Sequence, residues 1–235
     1  MLLAFGIWVY RLDGASLWRD EALTLGRAEQ PLSMIFSNRN LVQGVSSPDL
    51  HPPFYFLFQH GWLRLAGRSE FSLRFPSVMA MVLAVAMFGA VGRRIWGYRT
   101  GLLAAALALL SPFFLWYAQE ARMYAWIILE SLILLHTLWP LLQKRARWGD
   151  YLQFALAAGV LTYTHYSGAF LVAFAVLAVA GLHLERPTWG RLAVVLTGIA
   201  LIAIPLYPNV HELLTAAGFV AFSQRTRTTA TPPCS

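Results

Sequence analysis

The sequence predicts an all-α fold, a polytopic bundle of transmembrane helices with a long first external loop that carries interfacial helices. Three observations predict it. The first is composition: 58% of the 235 residues are hydrophobic and 12% are charged, against roughly 45–50% apolar and about 25% charged in an ordinary soluble domain. The second is a series of apolar runs, most of them near the ~20 residues that a spanning helix needs. The third is the placement of basic residues in every second joint between those runs, as topology signals are placed.

The elements follow in order. Met1 to Leu12 is apolar but too short to span, and it lacks the basic leader and small-residue cleavage site of a signal peptide; it reads as a clipped first membrane helix. Residues 13–71 form the first external loop. Within that loop His51 to Gly67 alternates aromatic and aliphatic residues with Gln59, His60 and Arg64, which suits a helix lying in the interface. Spanning helices are predicted at Ser72–Gly92, Thr100–Tyr117 and Met123–Leu142, then at Tyr151–His165, Ser167–Leu184 and Leu192–Tyr207, of which the first and last are short. No repeat divides the chain. Residues 1–222 read as one incomplete transmembrane domain, and residues 223–235, SQRTRTTATPPCS, as a disordered tail without hydrophobic period or cap.

Arg93, Arg94 and Arg99 occupy one joint, Lys144, Arg145 and Arg147 a second, Arg186 and Arg191 a third, and these face the cytoplasm by the positive-inside rule. The opposite joints, Gln119 to Arg122, Thr164 to Tyr166 and Tyr207 to Glu212, are then external. The arginines of the 13–71 loop do not overturn this, because long loops translocate largely regardless of charge. The formal net charge of +7 does not indicate a nucleic-acid partner, since the basic residues are spread between apolar runs and form no patch. Cys234 is the sole cysteine, which excludes an internal disulfide and a cysteine-based metal site.

The predicted topology brings Asp20 with Glu21, His51, Glu120 with Arg122, and His165 with Tyr166 to one side of the membrane. Asp20 and Glu21 stand in LWRDEA where the chain leaves the first membrane helix. A carboxylate near a low-dielectric interface has its pKa raised and is suited to take a proton from an acceptor hydroxyl; the bland alternative is a helix N-terminal charge favoured by the macrodipole. His51, with Pro52 and Pro53, stiffly enters the aromatic helix; it can meet a phosphate or a metal, or serve as a polar cap. In SPFFLWYAQEARMYAW, Arg122 offers a forked pair of hydrogen bonds suited to phosphate, with Trp116, Tyr117 and Tyr124 around it, and an internal Glu120–Arg122 ion pair is the competing reading. Glu130 lies in mid-helix, where an ionisable side chain must face the bundle interior or a polar cavity, paired with His136 or protonated.

The ordered series LWRDEA, HPPFYFLFQHGWLRLAGRSEFSLRFPSV, RRIWGYRTGLLAAALALLSPFFLWYAQEARMYA and YTHY resembles the polytopic glycosyltransferases of the GT-C type, in the family 39-like branch that includes protein O-mannosyltransferases and aminoarabinose transferases. The resemblance runs from about Leu17 to Tyr166. It implies a multi-pass protein of a plasma membrane, of the bacterial branch, that moves a sugar from a polyprenyl-phosphate donor to a hydroxyl of a lipid, glycan or protein acceptor at the external face, with inversion. It further implies that Asp20 is the base, with Glu21 assisting the acceptor or a divalent cation held by Asp20, Glu21 or His51. His51, Glu120, Arg122 and Tyr124 would lie near the donor, and His165 and Tyr166 at the cavity rim. No other cofactor is implied. Two further classes stay open: a transporter or flippase of lipid-linked saccharide built around Glu130, and a scaffold without chemistry.

Overall fold

The computed structural model describes residues 1–215 apart from 43, 44, 50, 144, 145, 183–185, 209 and 213. The expected tail at 223–235 and the basic pair Lys144 and Arg145 lie outside the described residues. The chain is a helical bundle. Helix α1 (Leu2–Val9) is followed by a polar-rich segment with α2 (Arg19–Ala28), α3 (Leu32–Phe36), a hairpin of β1 (Arg39–Val42) and β2 (Val45–Pro48), and α4 (Phe54–Ala66). The bundle proper comprises α5 (Glu70–Trp96), α6 (Tyr98–Leu110), α7 (Pro112–Ala118), α8 (Tyr124–Leu142), α9 (Trp148–Thr164), α10 (Gly168–Leu182) and α11 (Arg186–Ala203).

Helices α5 and α8 are long and apolar enough to cross a membrane. The 27 residues of α5 reach about 40 Å at 1.5 Å per residue, more than the ~30 Å hydrocarbon core. The predicted span Thr100–Tyr117 is not straight: α6 and α7 meet at a 63° bend. Pro112 accounts for it, because its ring disfavours helical geometry at the preceding residue, and Ser111 is extended at φ −72°, ψ 120°. Counted as one span, the bent pair is a third segment among the described residues that is long and apolar enough to cross. Helix α4, with 13 residues, is about 20 Å long and falls short of a crossing. The hairpin is a local departure from the all-α expectation, pairing Arg39 with Pro48 and Val42 with Val45.

Between α5 and α6 the chain reverses at Gly97, whose φ of +96° is open to glycine and strained for other residues. The two helices then pack closely: a β-carbon on Gly101 would lie 2.6 Å from the Gly89 carbonyl oxygen. Buried apolar side chains from α1, α5 and α8, among them Trp8, Met81 and Leu132, form one core. Leu138, Phe154, Leu161 and Val179 form a second around α8, α9 and α10. Outward, α6 and α10 leave Leu103, Leu107, Leu110, Phe170 and Phe174 exposed, the arrangement of helices whose outer faces meet lipid. The 119–123 and 165–167 turns come to the same end of the bundle as α2, α3 and α4.

Candidate active site

Helix α2 starts from Trp18, extended at φ −82°, ψ 171°, and carries Asp20 and Glu21 in its first turn. Successive residues on a helix point about 100° apart, so these adjacent carboxylates face different surroundings. Asp20 lines a cavity of about 360 Å³ shared with Arg27, Asp49, His51, Phe56 and Arg122. Glu21 is 1% exposed. Its Oε1 accepts from Arg74 Nε and from the Ala121 amide, both at 2.8 Å, and its Oε2 accepts from Arg74 Nη2 at 2.6 Å. Arg74 completes the tie by donating to the carbonyls of Leu12, Ala15 and Ser16. The acidic pair expected to act together is thus divided: Asp20 faces the cavity, and Glu21 joins α2, α5 and the 119–123 turn from behind.

Arg122 is buried at the cavity wall. Its contacts are long: Nη1 donates to Thr24 Oγ1 at 3.3 Å and to the Asp20 carbonyl at 3.4 Å, while Nη2 stands 4.0 Å from Asp20 Oδ2. Its Nε has no partner among the described residues. A guanidinium carries five donors, so this one keeps capacity for an incoming anion. The Tyr124 ring lies 5.9 Å from it. The alternative of a Glu120–Arg122 pair does not describe the geometry: Glu120 accepts from the Trp116 indole at 2.5 Å and lines a neighbouring cavity of about 380 Å³ with Trp18, Glu21 and Arg74. Burial is the main cause that raises the Glu120 pKa.

His51 follows Asp49 closely, and its backbone amide donates to Asp49 Oδ1 at 2.8 Å. Its ring faces that of His165 with 5.6 Å between centroids. Burial, then the Arg122 and Arg27 cations, push the His51 pKa down to about 4 against the opposing pull of Asp20. Burial, His51 and Arg122 lower that of His165. Both rings are therefore uncharged at neutral pH. His165 Nδ1 accepts from the Ser167 amide at 3.1 Å, which leaves the ring proton on Nε2.

Arg27, which no motif in the sequence marks, also lines the cavity. Its guanidinium pairs with Asp49, donates to Asn38 Oδ1 at 2.6 Å and lies 4.0 Å over the Phe56 ring. Burial is the larger cause that draws its pKa down to about 9. Asn38 in turn donates to the Tyr166 hydroxyl at 3.0 Å, which ties the 165–167 turn to the hairpin segment. These partners are distant in sequence and follow no spacing rule. The only local signal is Asn38 itself, whose φ of +53° belongs to a region that asparagine tolerates.

Of the residues assigned to a divalent cation, Asp20 and His51 share the cavity and Glu21 does not line it; among the described residues no three His, Cys, Asp or Glu side chains form a metal-binding group. Glu130 bonds to Thr164 at 2.9 Å, whereas its expected partner His136 stands 2.7 Å from Arg94.

No curated protein sequence matches the chain. The fold is similar to the crystal structure of ArnT from Cupriavidus metallidurans in the apo state, with a TM-score of 0.65 at 18% identity. That match covers 89% of this chain and 40% of that one, so the chain spans less than half the length of the protein it resembles. A family model, dolichyl-phosphate-mannose-protein mannosyltransferase, matches residues 50–211. The matched range holds His51, Glu120, Arg122, Tyr124, His165 and Tyr166, and begins after Asp20 and Glu21. Since the match takes in well over half of the 235 residues, the chain belongs to the dolichyl-phosphate-mannose-protein mannosyltransferase family.

Proposed function

We propose that this chain carries the sugar-transfer site of a membrane glycosyltransferase that uses a polyprenyl-phosphate-linked sugar and an acceptor hydroxyl, of a lipid, glycan or protein, at the external membrane face. The single observation that carries the reading is the meeting of Asp20 and Arg122 in one cavity, 4.0 Å apart. At that distance the two side chains form an ion pair, and because an inverting displacement sets base and leaving group on opposite faces of the sugar carbon, donor and acceptor enter between them and part the pair. Asp20 takes the proton of the acceptor hydroxyl, the acceptor oxygen forms its bond to the anomeric carbon on the face opposite the phosphate, and the carbon–oxygen bond to phosphate breaks with inversion. The leaving phosphate carries its electron pair and charge toward Arg122, with the neutral rings of His51 and His165 beside it as hydrogen-bond donors.

Family membership supports a lipid-linked donor, and the apolar faces of α6 and α10 support a bilayer setting. The testing experiment is transfer of labelled sugar from polyprenyl phosphate by the complete protein, with the anomeric configuration of the product read by NMR. An inverted product from wild type, formed about 10²–10⁴ times more slowly by Asp20→Asn, is expected; equal turnover by Asp20→Asn would remove the base from the reading.

A further inference from the structure

Glu130 has no role in that reaction, yet a carboxyl in the apolar body of α8 is costly to keep. Its side chain is 5% exposed at the head of a cavity of about 490 Å³ between α5, α8 and α9, with Met87, His136 and Val160 on the walls. One carboxyl oxygen accepts from Thr164 Oγ1 at 2.9 Å, and the other has no partner among the described residues. Thr164 is fully buried and shares its hydroxyl with the Val160 carbonyl at 3.0 Å.

The position of Thr164 gives this bond its reach. It is the last residue of α9, and His165 caps the helix in extended geometry at φ −156°, ψ 137°. Directly beyond, the His165 ring stands against His51, and the Tyr166 hydroxyl receives Asn38, which holds Arg27. A shift of the α9 end along α8 would therefore move the imidazole that stands against His51 of the cavity lining and loosen the support of the Arg27 guanidinium.

We propose that Glu130 is a positioning residue: through Thr164 it pins the end of α9 to α8 and so fixes His165 against His51 at the cavity rim. Its bearing on catalysis rests on the transfer reading above, whereas its bearing on geometry does not. A single interhelical hydrogen bond is modest in size, but its place at a helix terminus converts it into control of the turn that follows.

The test reads geometry first. In the complete protein in membranes, with Cys234→Ser, paired His51→Cys and His165→Cys substitutions are joined by a short bifunctional thiol reagent, and the cross-linked peptides are quantified by mass spectrometry. Adding Glu130→Leu or Thr164→Val should lower the yield roughly fivefold, the scale of one hydrogen bond, and Glu130→Gln, which keeps an acceptor for Thr164, should restore it. Unchanged yield in Thr164→Val overturns the proposal even if Glu130→Leu does not fold, and so does a Glu130→Gln yield as low as that of Glu130→Leu. On the wild-type rim, the same variants should raise the KM for the lipid-linked donor more than they lower kcat. Absence of any transfer by wild type would count against the proposed reaction and leave the cross-linking result intact.

Discussion

Arg74 grips Glu21 with two hydrogen bonds, at 2.8 and 2.6 Å, and both side chains are buried. The pair fixes α2 to α5, and Ala121 fixes the 119–123 turn to the same carboxylate. Removing one partner of a buried pair leaves the other uncompensated, at a cost of about 3–5 kcal/mol. Glu21→Ala should therefore lower the thermal midpoint of the detergent-solubilised protein well below that of Asp20→Ala. Equal midpoints for the two variants would show that the buried pair contributes no more than the cavity carboxylate.

Asp20 stands apart from that scaffold, with its side chain 36% exposed. Asp20→Asn should fold normally and reduce kcat by about 10²–10⁴, the usual range for a positioned base, with donor affinity little changed. Steady-state kinetics with labelled donor check both quantities. A large rise in donor KM with kcat preserved would assign Asp20 to binding.

Arg122 offers a planar fork where lysine offers a point charge. Arg122→Lys should weaken the lipid-phosphate donor by roughly 10–100-fold, the scale of a lost charge-assisted bond of about 1.5–3 kcal/mol. Competition by undecorated polyprenyl phosphate measures this without turnover. An unchanged inhibition constant would argue against phosphate at this guanidinium.

His51 should remain uncharged down to about pH 4, against about 6.5 for an unperturbed ring. Between these values the unfolded chain holds the more protons, so the contribution of His51 to stability falls as pH drops from about 6.5 toward 4 and is constant above that window. Titration of labelled histidine by NMR should place one resonance, absent in His51→Gln, with a midpoint near 4. A midpoint at the ordinary value would show that the cavity does not desolvate the ring.

Gly101 packs so closely on α5 that a β-carbon would meet the Gly89 oxygen at 2.6 Å and the Arg93 amide nitrogen at 2.8 Å. Backbone cannot yield as a flexible side chain can, so Gly101→Ala should destabilise by about 1–3 kcal/mol. Gly149→Ala, where a β-carbon meets nothing within 4 Å, serves as the control. Matching thermal midpoints for these two variants would contradict the close approach of α5 and α6.

Hydrophobic length made α5 and α8 legible in the sequence, because an apolar run bounded by polar residues admits little else. The bend at Pro112 was equally written there, in the steric effect of proline on Ser111, but an uninterrupted count of apolar residues passes over it. At the site, Asp20, His51 and Arg122 were identifiable as polar residues at one end of the predicted bundle. The direction of Glu21 was not, since it depends on the helical phase of α2 relative to Arg74, a partner far along the chain. Arg27, Asp49 and Asn38 were hidden for the same reason: tertiary packing joins them, and no local period marks them.

The separation of Glu21 from Arg74 also bears on how the protein is made. Fifty-three positions divide them, an interval of roughly 3–10 s at 5–20 residues per second of synthesis. Throughout that interval Glu21 lacks its Arg74 partner, and together with Arg19, Asp20 and Arg27 of the same helix it resists entry into hydrocarbon, so α2 stays in water while α5 is still being produced. A group that ends up among the most deeply enclosed in the finished protein is thus, during biogenesis, one of four charges that keep α2 in water, and its enclosure waits on the emergence of Arg74.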